Sequence, residues 1–263
     1  MSGAYETVKT ARSTRRPTSM DFISGLFTGF IELHGDRRFA DDRAVVGGLA
    51  RLGERAVTVI GIEKGHSTRE RMLRSFGAPQ PEGYRKALRL MKQAEKFRRP
   101  VISFIDTSGA YCGIGAEERG QGQAIAENLM EMMTLRTPTV SIVIGEGGSG
   151  GALALGAADR VWMLENAIYS VISPEGCASI LWKDASKAET AAEVLKLTAR
   201  DSLRGGLIDE VISEEGLGEE RFWHRLRGKL AETLRELDAL PPEALTEARY
   251  RRFRAIGTDR KEG

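Results

Sequence analysis

The sequence predicts an α/β fold in which parallel strands alternate with helices. Two apolar runs, Val101 to Asp106 and Thr139 to Ile144, have the length and the β-branched content of buried strands. A long amphipathic segment, Glu117 to Leu135, lies between them, and a glycine-rich turn at 145–151 joins the second strand to another helix. Strands that alternate with helices pair in parallel through right-handed crossovers. We therefore expect one α/β domain over residues 1–263.

The N-terminal part predicts a short helical lead over about residues 1–34, followed by a hairpin. Apolar residues recur at helical spacing from Phe22 to Leu33, and Gly35 ends this pattern. Two β-rich runs, 44–52 and 56–63, are separated by a Gly-Glu dipeptide. That spacing is typical of two antiparallel strands joined by a tight turn.

A long excursion at 64–83 precedes the next predicted helix, Tyr84 to Phe97. The excursion is rich in arginine, glycine and proline, and loops of this length in compact domains are usually functional or mobile. The helix carries many basic residues, and a second basic cluster spans Arg249 to Arg254. We interpret the basic stretch 85–99 and this C-terminal cluster as solvated faces or subunit contacts.

The rest of the chain continues the alternation and ends in charged amphipathic helices over about 219–257. The predicted elements after the glycine turn are a helix at 150–157, strands at 160–164 and 168–172, a helix at 174–181, helical residues at 186–204, a strand at 207–212, and helices at 219–237 and 242–256.

Composition excludes several classes of function. Lys and Arg number 39 against 37 Asp and Glu, so the net charge of +2 gives no argument for nucleic-acid binding. The two cysteines, Cys112 and Cys177, form no CxxC pair, and His34 and His66 have no ligand-spaced neighbours. We therefore expect no metal site and no disulfide framework. Without a signal sequence or an apolar run of about 18 residues, we expect a soluble cytoplasmic protein with no membrane span.

The glycine turn, residues 145–151, is the most informative segment. It holds five glycines in seven residues, and a turn without Cβ atoms leaves its N–H groups unshielded. The helix that follows adds its unpaired first-turn N–H groups and the positive end of its dipole. Such a turn favours an anion or oxyanion site over a merely tight βα connection.

A second glycine-rich segment, the facing loop at 106–116, follows the preceding strand. In open α/β sheets, ligands bind at the carboxyl ends of parallel strands. Both segments lie at such ends, so we expect them to form opposite walls of one crevice.

A serine hydrolase is an alternative interpretation. Gly147 to Gly151 matches the G-x-S-x-G pattern around Ser149, and Asp209 and His224 follow in the chain order of α/β-hydrolases. However, His224 falls within a predicted helix, whereas a triad histidine usually comes from a loop. A non-catalytic scaffold of the same fold is a further alternative.

The sequence contains five distinctive segments, which are 82–87, 109–111, 115–121, 145–151 and 170–183. Together they resemble one family, the carboxyltransferase alpha subunits of bacterial acetyl-CoA carboxylase. The likeness extends from about residue 5 to residue 257, although Ser108 and Cys112 stand where this family commonly has proline. The resemblance implies a crotonase-type fold of repeated ββα units with flanking helices.

The resemblance also implies the reaction and its partners. Members of the family transfer the carboxyl group of carboxybiotin to acetyl-CoA, which gives malonyl-CoA for fatty acid synthesis. Biotin is attached to a biotin carboxyl carrier protein and is loaded by biotin carboxylase. The alpha subunit works with a homologous zinc-ribbon beta subunit in an α2β2 complex, so this chain would be inactive alone.

Carried over residue by residue, the resemblance implies that the N–H groups of Gly150 and Gly151 hold the biotin ureido oxygen. A branched side chain at Gly151 is then expected to intrude on the biotin ring. The other residues implied to line the biotin crevice are Gly109, Ala110, Tyr111, Gly113, Gly147, Gly148 and Ser149.

Overall fold

The computed structural model describes residues 3–258, whose strands form one mixed sheet of eight strands. Seven strands follow the order β1-β2-β3-β4-β5-β6-β8, and β7 pairs with the end of β5. The strands are β1 Thr28–Glu32, β2 Val45–Leu52, β3 Arg55–Ile62, β4 Val101–Thr107, β5 Thr139–Gly148, β6 Arg160–Leu164, β7 Ile168–Ser170 and β8 Glu210–Ile212.

Helices cover the sheet. They are α1 Ala4–Ala11, α2 Ser19–Leu26, α3 Thr68–Leu73, α4 Pro81–Lys96, α5 Ile114–Glu118, α6 Gln121–Thr134, α7 Ser149–Leu153, α8 Pro174–Trp182, α9 Ala188–Leu195, α10 Ala199–Arg204, α11 Glu220–Asp238 and α12 Pro242–Arg254, with 3₁₀ turns at Ser75–Gly77 and Ala185–Lys187.

The predicted alternation and hairpin are confirmed. Strands β2 and β3 pair antiparallel up to Leu52 opposite Arg55, whereas β3, β4, β5 and β6 pair in parallel. Every residue of β4 is buried, as expected for a parallel strand covered on both faces. The carboxyl ends of β4 and β5 therefore lie side by side.

The predicted first helix is too long, because it ends at Leu26 and Thr28–Glu32 is an edge strand. Phe27, the residue after the helix, already has extended geometry, with a φ of −124° and a ψ of 160°. Glu32 pairs with Gly48, which has no Cβ to oppose the approaching carbonyl of Ile31. Pairing with β2 thus overrides the helical spacing of the apolar residues.

Several other predicted elements are shorter or divided in the structure. Gly120, with a φ of 82°, separates α5 from α6 within the predicted helix 117–135. Lys196, with a φ of 51°, separates α9 from α10 in the same way. The helix predicted at 150–157 ends at Leu153, and the strands at 168–172 and 207–212 are reduced to three residues each.

Two basic residues that we interpreted as solvated are instead buried. Lys86 on α4 has no exposed surface and donates to the Asp41 carboxylate at 2.6 Å and to the Asp42 carbonyl at 2.7 Å. Burial alone would raise the pKa of Asp41, but hydrogen bonds from Lys86 and from the Gly35 N–H lower it to about 2.

Arg249 on α12 is the second buried basic residue. Its guanidinium makes two bonds of 2.8 Å to the Asp159 carboxylate and donates to the carbonyl of Leu135 at 2.9 Å. Asp159 in turn accepts the Thr139 N–H at 2.7 Å. The contact therefore joins the C-terminal helix to the end of α6 and the start of β5.

We expect Arg249→Met to lower the free energy of unfolding by about 3–5 kcal/mol, because it leaves the Asp159 carboxylate buried without its cation. Arg251→Ala is the matched control on the same helix, because Arg251 makes only an exposed pair with Glu247. The control should cost no more than about 0.5 kcal/mol. Urea unfolding of both variants measures this, and equal losses would contradict the assigned role of Arg249.

Candidate active site

The glycine turn lies at the carboxyl end of β5 and continues into the first turn of α7. Ser149 has a left-handed φ of 52°, which reverses the chain between strand and helix. Gly148, the residue that precedes the helix, provides no side-chain cap. The first-turn N–H groups of an α-helix have no acceptor within the helix, so those of α7 are candidate donors to a ligand.

The facing loop is held in one conformation by polar side chains. The Thr107 hydroxyl donates to the Gly109 carbonyl at 2.8 Å and accepts the Gly109 N–H at 3.0 Å. The Gln121 side-chain amide donates to the carbonyls of Pro79 and Tyr111, both at 2.8 Å. The Tyr111 ring packs against Gly113, where a Cβ would lie 2.5 Å from the ring.

The glycine turn and the facing loop touch through their backbones. A Cβ on Gly151 would lie 2.6 Å from the Ala110 nitrogen and 2.9 Å from the Gly109 carbonyl carbon. A Cβ on Gly148 would overlap the carbonyl of Ser108. The structure thus brings the two predicted walls together. It corrects one expectation, because a branched side chain at Gly151 would collide with the facing loop before it could meet a biotin ring.

A bulge in β5 sets the position of the glycine turn. Ile105 pairs with Val143, but Thr107 pairs with Gly147, so only Asp106 lies opposite residues 144–146. Side chains satisfy the displaced backbone groups: the Asp106 carboxylate accepts the Glu146 N–H at 2.8 Å, and Arg16 donates to the Ile144 carbonyl at 2.9 Å. The bulge therefore depends on ionised side chains.

Five side chains form a charged network beside the bulge: Arg12, Lys64, Asp106, Glu146 and Glu175. Lys64 lies 2.7 Å from Asp106 and 3.0 Å from Glu146, and Arg12 bonds Glu146 and Glu175, both at 2.8 Å. No pattern in the sequence predicts this network. Asp106 and Glu146 lie within the facing loop and the glycine turn, but the sequence holds no signal that Arg12 and Lys64 reach them.

Pairing within the network shifts the proton affinity of its members. Burial alone would raise the pKa of Glu146, but the charge of Lys64 and the hydrogen bond from Arg12 lower it below the usual value. Burial alone would lower the pKa of Lys64, but Asp106 and Glu146 outweigh it and raise that pKa. Both groups therefore stay ionised at neutral pH.

Cavities border the glycine turn on several sides. The cavity lined by Gly147, Gly148, Ser149 and Ser108 of the facing loop holds only about 40 Å³. A polar cavity of about 200 Å³ adjoins the charged network and is bordered by Lys64, Asp106 and Glu146. A more apolar cavity of about 330 Å³ begins at Ser149 and Gly150. Its apolar lining comes from Leu153, Tyr169, Val171, Leu195 and Leu207.

The structure does not assemble the hydrolase triad. His224 is exposed on α11, and the Asp209 carboxylate accepts the Val161 N–H at 2.7 Å and the Arg252 Nε at 3.0 Å. Within residues 3–258, no hydrogen bond joins Ser149 to either residue.

Within residues 3–258, no group of three His, Cys, Asp or Glu side chains could hold a metal ion. In the same part of the chain, no helix has both the length and the apolar character needed to cross a bilayer.

The chain is similar to one family over nearly its whole length. A family model described as acetyl co-enzyme A carboxylase carboxyltransferase-like matches residues 3–257. The carboxyl transferase subunit alpha of acetyl-coenzyme A carboxylase from Ruminiclostridium cellulolyticum is 59% identical over 254 residues, which cover 97% of this chain and 98% of the relative. The corresponding subunit of Streptococcus pneumoniae is 59% identical over 247 residues, which cover 94% and 97%.

Among solved structures, transcarboxylase 12S has a similar fold, with a TM-score of 0.71 at 18% identity. The match covers 90% of this chain but only 44% of the transcarboxylase chain. At this identity the likeness concerns the fold alone, and it confirms the predicted crotonase-type architecture.

We expect the wild-type protein to resist labelling by a fluorophosphonate, because Ser149 has no histidine to activate it. Gel-based detection beside an active serine hydrolase measures this. Labelling of the wild type that disappears in Ser149→Ala would instead support the hydrolase interpretation.

We expect Lys64→Met to cost about 3–5 kcal/mol of unfolding free energy at pH 7, because two carboxylates lose a buried partner. The lowered pKa of Glu146 contributes stability that is present above its ordinary pKa and is lost as pH falls. In the variant that contribution is reduced, so the difference from wild type should shrink towards pH 4. Urea unfolding of both proteins between pH 4 and 8 measures this difference in unfolding free energy. A difference that does not change with pH would contradict the pairing of Lys64 with Glu146.

Proposed function

Since the chain belongs to the carboxyltransferase alpha family of acetyl-CoA carboxylase and is an acyl-CoA carboxyltransferase, we propose that its glycine turn receives biotin. The contact between the glycine turn and the facing loop carries this proposal. Its support is that α7 begins without a side-chain cap and that Gly151 packs against the backbone of the facing loop. In this assignment the N–H groups of Gly150 and Gly151 donate to the ureido oxygen.

The residues present fit a biotin ring. Its bicyclic body is compact and largely apolar, and its ureido oxygen needs hydrogen-bond donors. The cavity of about 330 Å³ beside Gly150 is at the lower end of the range for small-ligand sites and has a mainly apolar lining. Of the other residues implied to line the biotin crevice, Ser149 borders this cavity, whereas Gly109, Ala110, Tyr111, Gly113, Gly147 and Gly148 do not line it.

The residues of this chain would act by binding and orientation. When bound, carboxybiotin would supply the carboxyl group as CO2 by cleavage of its N–C bond, and the ureido nitrogen freed by that cleavage would be the base for the acetyl methyl group. The N–H groups of Gly150 and Gly151 would stabilise negative charge on the ureido oxygen, and the positive end of α7 adds to this. Lys64, Asp106 and Glu146 are paired with one another, so they would hold the glycine turn in place and transfer no proton.

The proposal includes the partners that the resemblance implies. They are a zinc-ribbon carboxyltransferase beta subunit in an α2β2 complex, the biotin carboxyl carrier protein, biotin carboxylase, and acetyl-CoA and malonyl-CoA, all in the cytoplasm. Ile180 and Leu181 are consecutive on α8 and are 69% and 59% exposed. Adjacent exposed apolar side chains of this kind favour a surface that another protein covers.

The first experiment is malonyl-CoA decarboxylation with free biotin as acceptor, measured with this chain alone and with a zinc-ribbon beta subunit. We expect activity only in the mixture, because each chain would supply half of the site. Equal activity of the alpha chain alone would contradict a shared site, and no activity in the mixture would contradict the proposal as a whole.

We expect Gly151→Ala to reduce kcat in the mixture by about 100-fold. Its Cβ would displace the facing loop, and a misplacement near 1 Å can cost this much. Gly228→Ala on α11 is the matched control, because a Cβ there meets nothing within 4 Å. If the Gly151→Ala protein folds, binds the beta subunit and keeps full activity, the assignment of the glycine turn to the active site is wrong.

A further inference from the structure

Three carbonyl groups in and just after α7 accept hydrogen bonds from buried side chains. Tyr84 Oη donates to the Gly151 carbonyl at 3.3 Å, Asn128 Nδ2 to the Ala154 carbonyl at 3.3 Å, and Ser141 Oγ to the Leu155 carbonyl at 2.5 Å. These donors come from α4, α6 and β5. Three separate elements therefore hold one short helix.

Backbone N–H groups donate to other carbonyls of α7. Gly150 accepts from the Ala154 N–H, and Leu153 accepts from the Gly156 N–H. The Leu155 N–H, which would reach Gly151 in a continuing α-helix, bonds Ala152 instead, at 3.1 Å. The Gly151 carbonyl therefore depends on Tyr84, because a buried carbonyl needs a donor.

Burial shows that these donors belong to the interior. Tyr84 and Asn128 have no exposed surface, and Ser141 is 1% exposed. The Tyr84 hydroxyl also lies 2.9 Å from the point where a Cβ on Gly151 would sit. Burial raises the pKa of Tyr84, so the hydroxyl keeps its proton and remains a donor.

We infer that Tyr84 is a positioning residue for carboxyl transfer and that Asn128 acts with it. An isolated helix of five residues is unstable in water, so the tilt of α7 must come from its tertiary contacts. The same tilt aims the N–H groups of Gly150 and Gly151, and oxyanion donors are effective only when they are preorganised. This inference rests on the proposed role of the glycine turn.

Tyr84→Phe tests the inference, because it removes one oxygen and keeps the ring. In the complex with the beta subunit, we expect kcat for biotin-dependent malonyl-CoA decarboxylation to fall about tenfold while KM for malonyl-CoA stays within twofold. Asn128→Leu, which removes a second donor at similar volume, should change kcat in the same direction. It keeps the test available if Tyr84→Phe fails to fold.

Ser19→Ala is the matched control. Ser19 has no exposed surface and donates to the Ile62 carbonyl at 2.6 Å, between α2 and β3. Its loss should lower Tm and leave kcat unchanged, since this bond is of the same kind but holds no part of α7.

Wild-type kcat in Tyr84→Phe and Asn128→Leu, with Tm lowered as in Ser19→Ala, would overturn the inference and leave these residues a purely structural role. The proposed function fails separately, through full activity of Gly151→Ala. Loss of activity in Gly151→Ala together with wild-type kcat in Tyr84→Phe would reject the positioning role alone.

Discussion

Direct contact between two backbones is the constraint on which the candidate site depends. Gly148 and Gly151 lie against Ser108, Gly109 and Ala110 with no space for a Cβ between them. This contact fixes how closely the two loops approach each other and where α7 begins relative to the facing loop. Because no side chain lies between the two loops, contacts elsewhere in the structure have to fix the distance between them.

Interactions on two sides of the glycine turn maintain that separation. On the strand side, Asp106 and Arg16 satisfy the backbone of the bulge, and Lys64 neutralises Asp106 and Glu146. On the helix side, uncharged donors from α4, α6 and β5 bind the carbonyls of α7. Charged side chains thus stabilise the strand end of the glycine turn, and hydrogen bonds from uncharged side chains stabilise its helix end.

Periodicity and glycine content were enough to predict the alternating sheet, the hairpin and the two crevice walls. They failed where a distant partner decides the outcome. The local pattern around Arg249 is that of an exposed residue, but Arg249 pairs with Asp159, which lies 90 positions earlier in the chain. Ile31 follows the helical spacing of its apolar neighbours, but it lies in a strand because that segment pairs with β2. The roles of Lys64 and Tyr84 are likewise set by contacts that no local pattern records, whereas Gly145 to Gly151 form a local signal in themselves.

A site whose donors belong to the main chain responds to mutation in an unusual way. Any missense codon at Gly148 or Gly151 adds at least one carbon atom, and none except a proline codon removes the N–H group. Almost every substitution at these glycines therefore leaves the main-chain donors in place but forces the two loops apart. Substitutions that change the transfer rate by small amounts would then occur among the residues that support the loops. Substitutions of the loop glycines themselves would abolish function.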